Sequence, residues 1–342
     1  MKMPSLVAAL AALLTMLFAG GAGASIGDVS RTVDPGIVDV NTDLGYQASS
    51  AAGTGIVITS SGEVLTNNHV IRGATTIRVT DIGNGRSYAA TVVGYSVSED
   101  LAVLQLKGAS NLATVAIGDS SQVKIGAAVA ALGNAGGVGG APASSIGTVT
   151  GLGRSITASD GEGSAEQLNG LIKTDAALVP GDSGGPLVDS AGRVIGIDTA
   201  GSTTFQLRFG DGATGGGYAI PINRAIALAR QIVAGESSAT THVGPSPMMG
   251  IDIKPSDYSY VGSDAGSGAL IADVLPSSPA DHAGLGAGDT ITAIDGRRVV
   301  SPSSLTSLLL LRAPGDTIRV SFVDQFGNSH KAAVKLATGP PQ

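Results

Sequence analysis

The chain has 342 residues with a formal charge of −7, 43% apolar content, no cysteine and no tryptophan. At roughly 150 residues per domain that is room for two. A charge balance without basic runs excludes a nucleic-acid partner, which needs a concentrated positive surface, and the lack of cysteine excludes disulfides, thiol chemistry and thiolate metal sites.

Lys2 is followed by the apolar run Ser5–Ala19 and by Ala22-Gly23-Ala24, a small-x-small cleavage pattern. Residues 1–24 therefore read as a signal peptide cut after Ala24, and the mature protein as secreted or extracytoplasmic. The run is shorter than the roughly 20 residues of a membrane span, so the membrane enters only if this segment is kept as an anchor.

From Val33 to Thr199 short β segments follow one another closely, separated by Gly, Ser, Asn and Asp. Gly55–Thr59 and Glu63–Thr66 flank the turn Ser60-Ser61-Gly62. Thr76–Thr80, Tyr88–Tyr95, Leu101–Leu106, Ala127–Leu132, Gly147–Gly151, Gly170–Thr174, Pro186–Val188 and Val194–Thr199 continue the series. No long helices alternate with them, which predicts a mainly β domain, a barrel or sandwich of two halves, over residues 25–235. Gly133–Ala143 and Ser155–Gln167 read as loops, either plain surface or borders of an active site. The glycines at 136–140 lack a following Gly-Lys-Ser/Thr and are no phosphate loop. Pro221–Ala234 has helical spacing, with Ile222, Ala225, Ile226, Ala229 and Ile232 on one face. Residues 236–247 are polar and Ser/Thr/Gly/Pro-rich, a linker. A second domain spans 248–338, with strands at 269–274, 290–294, 317–324 and 329–336 and a helix from Pro302, capped by Ser301. Residues 339–342 read as a frayed tail.

The chemistry gathers at Gly181-Asp182-Ser183-Gly184-Gly185-Pro186. Flanking glycines suit a tight loop that aims one hydroxyl and several amides at one point. That is what acyl transfer needs: the Ser183 hydroxyl attacks a carbonyl, and the Gly181 and Ser183 amides receive the oxyanion. Of the four histidines, His242 lies in the linker and His282 and His330 in the second domain, which leaves His69 as the base. Asp100, at the head of the apolar strand Leu101-Ala102-Val103-Leu104, is the best carboxylate to orient it; Asp175 competes, while Asp81 and Asp119 look like turn residues. The order His, Asp, Ser and the Pro186 after the nucleophile exclude an α/β-hydrolase, whose serine leads into a helix. No ligands at metal-like spacing occur, and no cofactor is called for.

Thr66-Asn67-Asn68-His69-Val70, Asp100–Leu104 and Thr174-Asp175-Ala176-Ala177 with Gly181–Pro186 resemble the trypsin-like protease domain of the HtrA/DegP family. Gly250-Ile251, Ala283-Gly284-Leu285, Gly288-Asp289-Thr290-Ile291 and Asp295-Gly296 are similar to its PDZ domain, and the whole is most like the secreted actinobacterial branch with one PDZ domain. The resemblance implies a chymotrypsin-like double β-barrel followed by a PDZ domain, with the triad His69, Asp100 and Ser183 in the cleft. It implies that Ile197, Asp198 and Thr199 line the substrate backbone and that Ala177 and Leu178 border the specificity pocket. Cleavage after small or aliphatic residues of unfolded proteins follows, in protein quality control. At the second domain, Met249, Gly250 and Ile251 would hold a peptide's terminal carboxylate, and Ile251–Ile253 would add it as a strand. Leu305, Leu308 and Leu309 are either its groove wall or plain core. By the same analogy, Ser155–Gln167 would relay peptide occupancy to the serine loop.

One residue departs from the family, which has Asn where this chain has Asp182: a neutral substitution, or an acid that pairs with a cation on activation. Homotrimers in the family use N-terminal aromatics, and Ser25 to Tyr46 offers only Tyr46. The alternative from another class is a chaperone or peptide-binding scaffold with little proteolysis.

Overall fold

Runs such as Ile37-Val38-Asp39-Val40 and Leu101-Ala102-Val103-Leu104 favour extended backbone, because branched side chains pack well on a pleated surface. In the structure, a computed structural model, residues 29–159, 165–201, 216–254 and 268–342 are described. The segment read as a signal peptide lies outside them.

A helical turn, α1 (Ser30–Val33), leads into β1 (Ile37–Leu44), β2 (Ser49–Val57), β3 (Glu63–Thr66), the single turn α2 (Asn68–Ile71), β4 (Thr76–Asp81), β5 (Ser87–Ser96) and β6 (Leu101–Leu106). They bond in the order β5-β4-β1-β2-β3-β6, and β5 closes onto β6, so the sheet is a barrel without free edges. Val38, Val40, Val57, Val64, Tyr95 and Leu104 fill it. The second barrel comprises β7 (Ala116–Ile117), β8 (Ala128–Gly133), β9 (Ala143–Ser159), β10 (Ala165–Thr174), β11 (Pro186–Asp189), β12 (Arg193–Gly201) and β13 (Gly217–Pro221). Its order is β11-β8-β9-β10-β13-β12-β7, with β11 also pairing β12. α3 (Ile222–Val233) follows and buries Ile222, Ala225, Leu228, Ala229 and Ile232, with Ile226 half-buried against the same core, so Leu228 joins the expected inner face.

The stretch at 155–167, expected as a loop, is strand in its described residues, 155–159 and 165–167. β9 runs for 17 residues and pairs with β8 on one side and β10 on the other. Its Gly and Ser content reads locally as loop, yet neighbours on both sides supply the ladder and override propensity.

The C-terminal domain contains β14 (His242–Val243), β15 (Ser246–Met248), β16 (Ile251–Ile253), β17 (Ala269–Val274), α4 (Pro279–His282), β18 (Thr290–Ile294), β19 (Arg297–Arg298), α5 (Pro302–Leu309), β20 (Thr317–Val323), β21 (Ser329–Lys335) and β22 (Ala337–Gly339). Its sheet runs β16-β17-β18-β20-β21. Ser301 caps α5 in a capping box with Ser304, and Pro302 takes the first position.

Neither the linker nor the tail is loose, contrary to the sequence reading. β14 pairs with β5 of the first barrel, and β22 pairs with β15. The Tyr95 hydroxyl lies 3.0 Å from Ser246 Oγ and accepts from the Gln342 amide at 3.2 Å. The His242 ring, buried and 5.3 Å from the Tyr95 ring, sits between the carbonyls of Leu310 and Pro245. Among the described residues no helix is long and apolar enough to cross a membrane.

Gly94 is the contact on which the linker strand rests: a Cβ there would stand 2.5 Å from the His242 carbonyl and 2.8 Å from an Ile232 methyl. Gly94→Val is therefore expected to lift 242–243 off β5. In a Ser183→Ala background, limited digestion with subtilisin should then nick the 236–247 segment faster than in the parent, with fragments mapped by mass spectrometry; equal rates would show the strand is not held there.

Candidate active site

His69 is the second residue of α2, directly after the strand β3 that enters the seam between the barrels. Two bonds to one carboxylate fix it. The Asp100 Oδ1 accepts from the His69 backbone amide at 3.0 Å, and His69 Nδ1 lies 3.0 and 2.9 Å from the two Asp100 oxygens. Asp100 is buried, and its φ of +48° is a left-handed conformation that Asp tolerates better than most residues. The Asn67 amide group holds its carbonyl at 2.8 Å. From the other barrel the Thr199 hydroxyl donates to Asp100 Oδ2. Thr199 sits at a register shift between Asp198 and Ala200, a bulge that turns its side chain out of the β12–β13 ladder.

Ser183 reaches the same place from the second barrel. Its carbonyl accepts from the Thr54 amide on β2 at 2.8 Å. A Cβ on the adjacent Gly53 would stand 2.7 Å from the Val70 methyls and 3.1 Å from the Ser183 carbonyl oxygen, so the serine loop and the residue after His69 flank one glycine. The loop is pinned on both sides. Thr54 Oγ1 donates to the Gly181 carbonyl at 2.7 Å and accepts from the Asn134 amide at 2.8 Å. The Gly136 amide donates to the Pro180 carbonyl at 2.6 Å, and the Gly184 amide to the Asp198 carbonyl at 2.8 Å. Gly181 and Gly184 have φ of +98° and +87°, and side chains there would collide with the Asn134 carbonyl and with Thr54 and Thr66. Gly133–Ala143, expected as a loop, thus supplies the loop's second wall through Asn134 and Gly136.

Behind the nucleophile lie two acids. Asp182 and Asp198 are both buried, and among the described residues no ion pair reaches either. Asp182 Oδ2 accepts from the Val179 amide at 2.9 Å, while Asp182 Oδ1 and both oxygens of Asp198 are buried without a partner. Burial raises the Asp182 carboxyl above its ordinary range, with the Val179 amide pulling it partly back. Burial, and then the charge of Asp182, raise Asp198 well above that range. Sequence reasoning missed this pair; its only signal is an acid inside the apolar run Val194–Thr199.

The other expected residues divide. Ile197 and Asp198 are buried, and Asp198 spends its amide on Gly185 and its carbonyl on Gly184, so these two do not line substrate. Leu178 is buried where a side chain on Gly217 would have to stand, while Ala177 is exposed beside it. Asp175, the competitor, is an exposed residue whose carboxylate accepts from the Thr148 amide and hydroxyl, which lower its pKa. Leu305, Leu308 and Leu309 are buried with Ile271, Ile318 and Phe322 in their domain's own core, as is Met249. Gly250 has φ +78°, and Ile251 and Ile253 stand half-buried on β16, the edge of the sheet. Among the described residues no group of three His, Asp or Glu could hold a metal ion.

The family description "trypsin-like peptidase domain" matches residues 53–197, and "PDZ domain" matches 247–336. Serine protease PepD of Mycobacterium tuberculosis is 31% identical over 91% of this chain and 66% of its own length. The periplasmic pH-dependent serine endoprotease DegQ of Escherichia coli is 35% identical over 82% and 58% respectively. The chain thus spans between 58% and 66% of these two relatives. Among solved structures, HtrA-type protease AlgW with tripeptide superposes with a TM-score of 0.53 at 27% identity, covering 93% of this chain and 98% of that one. A serine endoprotease from Yersinia pestis gives 0.51 at 26%, covering 92% and 98%.

Two acids that prefer their neutral forms when folded bind more protons in the native than in the unfolded state, from the unfolded value of about 3.9 up to their raised folded values. Stability should therefore fall as pH rises through that window. Urea midpoints measured from about pH 4 to about pH 7 should decline for the parent and stay flatter for Asp198→Asn, which cannot ionise. A parent midpoint that climbs across the range, with no change in slope for the variant, would show the pair is ionised at no cost.

Proposed function

Because the chain belongs to the HtrA/DegP family, a trypsin-like peptidase domain followed by a PDZ domain, we propose that it is an exported serine endopeptidase that cleaves unfolded or misfolded proteins through an acyl-enzyme, in protein quality control. The observation that carries this reading is the His69–Asp100 pair at 2.9 Å beside the loop of Ser183. With Nδ1–H given to Asp100, Nε2 becomes the basic nitrogen of the ring. It takes the Ser183 proton as Oγ attacks the scissile carbonyl. The Gly181 and Ser183 amides, which no described group accepts from, receive the oxyanion. The imidazolium then protonates the leaving amine, and water, deprotonated by the same nitrogen, releases the acid and restores the serine. Asp100 holds the ring in this tautomer and orientation.

Leu178, packed where a Gly217 side chain would stand, and the exposed Ala177 beside it offer apolar groups, which favours small or aliphatic residues before the cleaved bond. The substrate backbone pairs from Thr199 onward, since Asp198 has no free backbone group. In the PDZ domain, the Met249 and Gly250 carbonyls already accept from Ala280 and Leu275, so the turn's amides are the groups left for a carboxylate, and the edge strand β16 can take a peptide as a further strand.

Digestion of casein by the protein without its first 24 residues tests the reading. Ser183→Ala should lose a factor of about 10⁶ in kcat, and His69→Ala as much. Parent protein that leaves casein intact yet suppresses its aggregation would make the chain a chaperone instead. A second measurement addresses the PDZ groove: a peptide ending in a hydrophobic residue should bind about tenfold more weakly once its carboxylate is amidated, the worth of one charge-assisted hydrogen bond. Equal affinities would remove the carboxylate-binding role of Gly250 and Ile251.

A further inference from the structure

A helix of one turn cannot hold its own shape, since nucleation costs more than its few internal bonds return. α2, with four residues, is such a helix, and it carries His69. The first barrel holds its core side, where the Thr42 hydroxyl donates to the Val70 carbonyl at 3.3 Å and Asp100 takes the His69 amide and ring. Its outer side is held from the far end of the chain. Asn68 Nδ2, on a side chain buried to 1% exposure, donates to the Gln342 carbonyl at 3.0 Å. Gly73, two residues past the helix, donates its amide to the Pro341 carbonyl at 2.8 Å. The Gln342 amide in turn donates to the Tyr95 hydroxyl at 3.2 Å. Thus Asn68 and Gly73 bracket His69, and both are tied to one short segment that leaves the PDZ domain through β22.

We propose that residues 340–342 and Asn68 form a positioning element for His69: the segment fixes α2 from outside the barrel, so that docking of the PDZ domain sets the aim of the imidazole. The proposal rests on the catalytic role of His69 given above. It assigns the PDZ domain a contact with the histidine side of the site, separate from the serine loop. Without the segment, Asn68 Nδ2 and the Gly73 amide lose these acceptors, and α2 loses the bonds that tie its outer side to the PDZ domain. A displacement of about 1 Å at reacting atoms can cost roughly 100-fold in rate. Substrate contacts at Leu178 and from Thr199 onward belong to the second barrel and stay in place, so the loss falls on kcat.

The experiment compares the parent protein, a chain ending at Gly339, Asn68→Ala and the two changes combined, on a chromogenic peptide and by the rate at which a fluorophosphonate labels Ser183. Shortening the chain should lower kcat and the labelling rate by about 10- to 100-fold, with KM changed by less than about twofold. The acid limb of the kcat/KM–pH profile should shift in the same variants, as a purely structural role would not require. Asn68→Ala should act in the same direction, and the combined variant should be no worse than the worse single one. Should the shortened chain fail to melt cooperatively, Asn68→Ala and Tyr95→Phe decide by the same readings. Unchanged kcat and labelling in folded variants, a loss confined to KM, or fully additive losses would each overturn the positioning role. A parent protein that neither cleaves nor is labelled would overturn the protease reading and this one with it.

Discussion

The buried carboxylate of Asp100 joins the two barrels. It takes the His69 amide and ring from the first and the Thr199 hydroxyl from the second. To stand there its backbone adopts φ +48°, a conformation that costs of the order of 1–3 kcal/mol and survives only where neighbours over-determine it. Those neighbours are the Asn67 side chain on its carbonyl and the β6 strand that begins at the next residue. The rest of the seam follows one rule: hydroxyls stand where the serine loop's backbone passes. The Thr54 hydroxyl bonds the loop at Gly181 and takes the Asn134 amide of the second wall, its amide bonds Ser183, and the Thr66 hydroxyl donates to the Thr54 carbonyl. Larger side chains would hold the loop off, as the collisions at Gly181 and Gly184 show.

What the sequence disclosed and what it hid differ by how local the cause is. The glycines around Ser183 and the apolar run after Asp100 are local necessities, and both are legible without coordinates. β1 was not singled out within the β-rich stretch from Val33, because Asp39, Asn41 and Asp43 break up its apolar pattern, although Asp39 is buried in the strand. α2 is too short to show a period. The linker and tail read as loose because their partners, Gly94 and Tyr95 on one side and Asn68 and Gly73 on the other, lie far away in sequence. Composition reports what a segment can do alone; pairing across such distances is decided by the fold. Thr199 was assigned to substrate, and only the bulge in β12 reveals that its hydroxyl serves Asp100.

Three acids near the nucleophile show how differently one group can be buried. Asp100 has three donors for its two oxygens. Asp182 has one, the Val179 amide, and Asp198 has none among the described residues. A carboxylate without donors keeps its charge only at the full cost of desolvation. Burial therefore raises both carboxyls of the pair behind Ser183. This bears on the departure at Asp182: among the described residues its neighbours are the Val179 amide and a second acid, Asp198, with no ion pair to a cation.

The PDZ domain is held at both of its ends, a stronger constraint than either contact alone. Its entrance is fixed by β14 on β5, and its exit by β22 on β15 and by the segment beyond it on α2. A domain tied at one point can swivel on its linker, whereas one tied at two can only hinge about the line between them. β16 and β21 are opposite edges of one sheet, and β21 leads within two residues into β22. A peptide added along β16 would extend one edge of that sheet while the other edge continues toward Asn68.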